Sequence, residues 1–224
     1  MEKLKKLIST YENYPKTGVN FKDVLEIVHY PKIFKELILK MSSSELIKNA
    51  EALISIDARG FVFGSAIALQ TSKPMIVARK PGKLPGEIIK KKYNLEYGEN
   101  VLTIQKNSIK KFNSFAIIDD LIATGGTAEC VSKILDDNNK KVTGLLVVVE
   151  LQDLGGSIRF NYPIESILKY WFSEKKMVLY HSYWTSCETN NKKERKFQEI
   201  SRQRIDYQIK LSHLTLCSSG IIYK

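Results

Sequence analysis

Most of the chemistry this chain could perform is concentrated in Ile117-Ile118-Asp119-Asp120-Leu121-Ile122-Ala123-Thr124-Gly125-Gly126-Thr127. An apolar run ends in two adjacent carboxylates, and small residues with a glycine pair follow. Glycines let backbone N–H groups come close to a phosphate, and a helix starting there adds partial positive charge. Thr124 and Thr127 supply hydroxyl donors. Aspartates at the carboxyl end of a parallel strand stand where open α/β sheets bind ligands, and Asp119 and Asp120 could hold sugar hydroxyls or balance a ribosyl cation. The string is not a Walker loop, because no Lys-Ser/Thr follows the glycines, and not a dinucleotide fingerprint, because G-x-G-x-x-G is absent. A tight turn with solvated aspartates is the bland alternative; the whole string argues instead for a sugar phosphate.

Two further stretches carry cations. Asp57-Ala58-Arg59-Gly60 puts an arginine at a strand's carboxyl end before a glycine-opened helix. Arg79-Lys80-Pro81-Gly82-Lys83-Leu84-Pro85-Gly86-Glu87 puts more cations at another strand end and runs into a long Gly/Pro loop. Loops of that length in compact domains often serve as lids. A small substrate with phosphates at both ends would engage all of these places. Other candidates are weaker. His29, His181 and His213 lack metal-ligand spacing. Cys130, Cys187 and Cys217 form no C-x-x-C pair, which argues against a disulfide framework or a zinc site and fits a reducing compartment.

These residues need a scaffold to position them. Residues 2–10 read as a short amphipathic helix, 31–41 as a second and 43–50 as a third. Strands are expected at 52–56, 74–78, 101–105, 115–118 and 142–151, with helices at 60–70 and 127–137 and a polar loop from Pro81 to about Leu95. Strands alternating with helices predict an α/β fold with a Rossmann-like parallel sheet flanked by helices. The 224 residues favour one domain with a tail. Residues 171–224 lose the alternation and read as an extension of unknown role. The net charge of +11 is spread, since ten Lys and Arg against five Asp and Glu lie in that extension. The cluster from Arg79 to Lys92 suits a polyphosphate as well as nucleic acid. No apolar run reaches the roughly 18–20 residues of a membrane span, and no signal peptide opens the chain, so a cytoplasmic location is expected.

At this point the sequence resembles the type I phosphoribosyltransferases, and within them the adenine-specific branch. The likeness runs from about Tyr14 to Tyr170. It rests on Tyr-Pro-Lys-x-Gly-Val-x-Phe-Lys-Asp at 14–23, Ala-Arg-Gly-Phe-x-Phe-Gly at 58–64, Arg-Lys-Pro-Gly-Lys-Leu-Pro-Gly at 79–86, Tyr-x-Leu-Glu-Tyr-Gly at 93–98 and the Asp119–Thr127 run. The resemblance implies residues 1–170 as the phosphoribosyltransferase domain, with a small N-terminal hood over about 1–30 and a core over about 31–170. It also implies a long flexible lid loop, a homodimer, Mg²⁺, and transfer from 5-phosphoribosyl 1-pyrophosphate (PRPP) to adenine. By motif, Ala123, Thr124, Gly125, Gly126 and Thr127 would wrap the 5′-phosphate, and Asp119 and Asp120 would face the ribose. Arg59, Arg79, Lys80 and Lys83 would neutralise pyrophosphate. Glu96 would be the acid/base group, with Tyr97 beside it. Phe21 would stack on the base while backbone groups around Asn20 and Lys22 read its edge. No protein cage for the metal is implied; Mg²⁺ would be held mainly by PRPP and water. Two positions depart from the family's habit: Lys22 stands where Arg is usual, and Asp57 where Glu or Ser is common. Nucleic acid and membrane are not expected partners. The alternatives are a phosphoribosyltransferase for another purine, and a non-catalytic PRPP or nucleotide sensor with a basic nucleic-acid-binding tail.

Overall fold

A computed structural model describes residues 2–15, 17–95 and 98–171. Its centre is a five-stranded parallel sheet of β3 (Ala52–Ile56), β4 (Met75–Ala78), β7 (Ser114–Ile122), β8 (Lys141–Leu151) and β9 (Ile164–Tyr170), in the order β4-β3-β7-β8-β9. Strand β3 is buried at every position, and β8 from Val142 to Glu150. Such near-continuous apolar strands require cover on both faces. Helix α6 (Gly126–Asp137) covers one face with Cys130, Val131, Ile134 and Leu135, packed with Phe115, Ile117, Leu145 and Val147. Helices α2 (Pro31–Ser42) and α4 (Gly60–Thr71) cover the other, where Leu37, Met41, Phe63 and Ile67 meet Leu53, Ala116, Ile118 and Leu146. The expected α/β class and Rossmann-like sheet are thus present.

Pro31 at the first turn starts α2 without needing a donor, as its composition predicts. The third expected helix shrinks to α3 (Glu45–Lys48), capped by Ser44, whose Oγ accepts from Leu46 N at 3.1 Å.

Three expectations are corrected. The helix expected over 2–10 ends early: α1 spans Glu2–Lys6, and Ser9–Glu12 form β1, paired antiparallel with β2 (Asn20–Asp23). The pairing satisfies backbone groups that a helix would otherwise have used. Second, the polar loop expected up to Leu95 contains a strand. Residues Ile88–Leu95 form β5, antiparallel to β6 (Gly98–Gln105) and followed by α5 (Lys106–Lys110). The loop proper is thus the stretch from Lys80 to Glu87. Third, β7 continues past Ile118 through Ile122, so both aspartates belong to the strand.

The stretch after β8, for which no element was expected, forms a 3-10 turn at Gln152–Leu154 and α7 at Gly156–Arg159 before β9. A second 3-10 turn, Leu25–His29, joins β2 to α2.

Candidate active site

The chain leaves β3 through α4 to β4 on one side, and later enters β7 on the other side of β3. The carboxyl ends of β3 and β7 therefore flank the point where strand order reverses, the crevice in which open α/β sheets bind ligands. A cavity of about 250 Å³ opens there. Arg59 and Lys80 line it from one side, and Asp119, Asp120 and the whole Ala123–Thr127 loop from the other.

Local geometry explains the loop. Gly125 has φ of +77°, a left-handed conformation that favours glycine, and α6 begins at the next residue. The N–H groups of the first turn of α6 are thereby left for a ligand. Gly60, at the start of α4, is equally constrained: a Cβ there would lie 3.0 Å from Asp119 Oδ1 and 3.0 Å from the Ile118 carbonyl. Only a residue without a side chain lets α4 approach the carboxylates so closely.

The aspartates are not the solvated pair of the bland alternative. Asp120 is buried, and Asp119 is enclosed by protein while part of its surface opens to the cavity. Burial, reinforced by the neighbouring Asp120 charge, holds the Asp119 carboxyl well above the usual carboxylate range. Burial also raises Asp120, opposed chiefly by the Arg59 guanidinium. Arg59 Nε stands 3.0 Å from Asp120 Oδ2, yet Asp120 Oδ2 and Arg59 Nη1 are both buried without an aligned hydrogen bond. Buried polar atoms of this kind are costly unless something pairs with them. A ligand carrying hydroxyl and anionic oxygens would do so.

Arg59 reaches further than its expected role. Its guanidinium carbon lies 4.9 Å from the centre of the Phe21 ring, which also meets Tyr14 edge-on at 5.3 Å. The expected base-stacking residue, on β2, thereby touches the cavity only through Arg59 and does not itself line it, nor do Asn20 and Lys22. Lys22 turns elsewhere: its ammonium donates to Thr10 Oγ1 at 2.6 Å and sits 4.4 Å from the Tyr170 ring centre. Burial and the nearby Lys5 charge lower the Lys22 pKa. Asn20 Oδ1 is buried without a hydrogen-bond partner.

The remaining cations do not all converge. Lys80 lines the cavity, but Arg79 and Lys83 do not. Arg79 Nε donates to Asp57 Oδ2 at 3.0 Å, its guanidinium covers Phe61 at 5.6 Å, and its backbone bridges to Thr103. The Asp57 departure thus has a partner in Arg79. The Lys83 side chain is exposed, while its carbonyl accepts from Arg79 Nη1 at 3.4 Å. Glu96 and Tyr97 lie outside the described residues.

Sequence reasoning missed Gly156, whose backbone packs directly against Ala123 and Gly125 of the loop. The Gly155-Gly156 pair was the available signal.

No family model matches the chain. Curated relatives do. The adenine phosphoribosyltransferase of Prochlorococcus marinus strain MIT 9312 is 71% identical over 166 residues, which cover 74% of this chain and 98% of the relative. That of Mycoplasmopsis fermentans is 46% identical over 153 residues, covering 68% and 88%. Among solved structures, adenine phosphoribosyltransferase from Thermoanaerobacter pseudethanolicus aligns with a TM-score of 0.69 and 32% identity over 75% of this chain and 99% of that one. The Saccharomyces cerevisiae protein, solved with an imino-altritol bisphosphate and adenine, aligns with a TM-score of 0.69 and 33% identity over 75% and 97%. With this sheet, this crevice and relatives of that identity over nearly their whole length, the chain belongs to the adenine phosphoribosyltransferases, pentosyl-transferring enzymes of purine salvage built on the type I phosphoribosyltransferase fold.

Proposed function

We propose that this chain breaks the bond between C1 of the PRPP ribose and pyrophosphate and joins that carbon to N9 of adenine, giving AMP and pyrophosphate. The observation that carries this reading is a cavity in which a glycine-rich loop at a helix N-terminus, an adjacent aspartate pair and Arg59 meet. In it the Ala123–Thr127 backbone and the Thr124 and Thr127 hydroxyls hold the 5′-phosphate. Asp119 and Asp120 take the ribose hydroxyls and face the positive charge that develops on the sugar as the bond to pyrophosphate breaks. Lys80 and Arg59 neutralise the leaving group, with Arg79, just before the Lys80–Glu87 loop, and Lys83, within it, as further cations. Phe21 supplies a ring face for adenine, and the β2 backbone at Asn20 and Lys22 reads its edge. Glu96 accepts the proton that adenine N9 gives up, with Tyr97 beside it.

Mg²⁺ fits the chemistry of this cavity. Among the described residues no cluster of three or more His, Cys, Asp or Glu could cage a metal. An ion here would take most ligands from PRPP oxygens and water, as Mg²⁺ commonly does in phosphate sites, with Asp119 and Asp120 beside it. When bound, it would supply charge neutralisation for the departing pyrophosphate.

The active form is a homodimer on this reading. Leu39 on α2 and Leu69 on α4 are large apolar side chains left 44% and 86% exposed. A cytoplasmic location follows from the charged metabolites consumed and produced; among the described residues no helix is long and apolar enough to cross a membrane.

Pyrophosphate release should require PRPP, adenine and Mg²⁺ together. Release from PRPP without any base, or no release with all three present, would contradict the assignment.

A further inference from the structure

We propose that the turn over residues 152–159 is a positioning element for the 5′-phosphate loop, with Gly156 as its point of contact and Arg159 as its tie. This rests on the reading of Ala123–Thr127 as the phosphate cradle. The turn touches the loop with bare backbone. A Cβ on Gly156 would lie 2.3 Å from the Ala123 carbonyl oxygen, 2.8 Å from Ile122 Cγ1 and 3.0 Å from Gly125 N. The contact is reciprocal, since a Cβ on Gly125 would lie 2.8 Å from the Gly156 carbonyl oxygen and 3.1 Å from its Cα. Both glycines are buried. The segment that must turn sharply to receive a phosphate therefore has a fixed floor, and the residues contributing that floor lie some thirty positions later in the chain.

The floor is itself fastened. Phe160 N donates to the Gly156 carbonyl at 3.1 Å, and the Phe160 ring is buried in the core beside α6. Arg159 Nε donates to Glu129 Oε2, and Tyr162 Oη donates to Asp136 Oδ1, both acceptors on α6. Glu129 N in turn donates to the Gly125 carbonyl at 2.9 Å, so the tie runs from Arg159 through Glu129 back to the loop. Charge matters as well as geometry. Glu129 is an anion in the first turn of the helix that faces the phosphate, and it would repel a dianion. Arg159 and Lys133, the latter donating to Glu129 Oε1 at 2.5 Å, neutralise it. A backbone cradle is only as selective as it is rigid, because each N–H must already point at the phosphate oxygens.

The test compares wild type with Gly156→Ala, Arg159→Met and the Arg159→Met/Glu129→Gln pair. Each is measured for ribose 5-phosphate affinity, for KM of PRPP and adenine separately, and for thermal stability. Gly156→Ala should weaken ribose 5-phosphate and raise the KM for PRPP about tenfold, the loss of one well-aligned hydrogen bond to a charged group. The KM for adenine should stay where it is. Arg159→Met, which leaves the backbone contact intact, should shift the same two quantities by about threefold and not the third. It decides the matter where the alanine variant does not fold. Removing the Glu129 charge as well should relieve the repulsion but leave the tie broken, so affinity recovers only in part; full recovery to wild type would overturn the positioning role of Arg159. Unchanged ribose 5-phosphate binding in Arg159→Met, or losses for phosphate and adenine that move together with melting temperature, would overturn the proposal. Wild-type protein that fails to bind ribose 5-phosphate would overturn the phosphate-loop assignment itself, and this inference with it.

Discussion

Lys22, expected from the resemblance to stand in place of an arginine, has partners in the structure. Its ammonium lies over Tyr170, at the end of β9, and bonds Thr10 across the β1–β2 hairpin. Tyr170 Oη also donates to the Lys5 carbonyl at 3.4 Å. The side chain therefore anchors the strand that carries Phe21, leaving only its backbone for the proposed contact with the base. Lys22→Met should cost about 0.5–2 kcal/mol of stability in a denaturant titration, the range of a partly desolvated cation–π contact. Turnover should survive, and Tyr170→Phe should behave as wild type. A loss of kcat with unchanged stability would place the Lys22 side chain in the chemistry instead. Glu96→Gln should do the reverse, lowering kcat by about 10²–10⁴-fold, the usual worth of a general base, with little change in PRPP affinity. Equal kcat would remove Glu96 from its role. Cys130 gives a pH test. Burial pushes its thiol up to about 11. An acid whose folded pKa is raised stays protonated when folded; its contribution to stability is fully present below the unfolded value of 9.0 and is lost progressively as pH climbs from there to about 11. In a Cys187→Ser/Cys217→Ser background, Cys130 should resist alkylation near about pH 8, where only about one thiol in a thousand is ionised. It should react readily once the protein is unfolded; rapid labelling of the folded protein would contradict the burial.

Among elements, α4 and β3 show how tightly the site's frame is set. A Cβ on Gly64 would fall 1.6 Å from Ser55 Oγ and 3.1 Å from Met75 Sδ. Gly64→Ala should destabilise the protein by about 1–3 kcal/mol, the cost of overpacking a dense core. Ser55→Ala in the same molecule should recover part of that, because neighbouring sites are not additive. Additive losses would mean that the two positions do not meet. Sequence patterning revealed the buried parallel strands because long apolar runs bounded by turns have few other uses. It hid β5, where Lys90, Lys91 and Lys92 read as a charged loop. Burial alternates there all the same: Lys91 and Tyr93 are half-buried while Lys90 and Lys92 are exposed. The Lys91 ammonium pairs with Asp137 on α6, and only the folded structure supplies that partner. The true end of α1 was likewise set by a strand partner twelve or more residues away, which no local propensity encodes.

At the scale of the molecule, the convergence of the Ala123–Thr127 loop and the aspartates on one cavity was legible because they are contiguous in sequence. The contact of Arg59 with Phe21, the turn under Gly125 and the capture of Arg79 by Asp57 were not, because each joins residues far apart in the chain. Relatives that align over 98% of their length match only 74% of this chain. The catalytic domain should accordingly stand without the extension: a chain stopped after Trp171 should fold and keep the kcat and KM of the full protein. Loss of turnover with an intact fold would give residues 172–224 a part in the reaction. The central claim is the choice of acceptor, and it is tested by kcat/KM for pyrophosphate release from PRPP with adenine, guanine, hypoxanthine and orotate in turn. The account predicts that adenine is turned over and that each of the others is disfavoured by at least about a hundredfold, a floor below the about 10⁴–10⁵-fold by which a site built to hydrogen-bond a substrate group rejects an analogue lacking it. Turnover of another of these bases at a rate equal to or above that with adenine would contradict it.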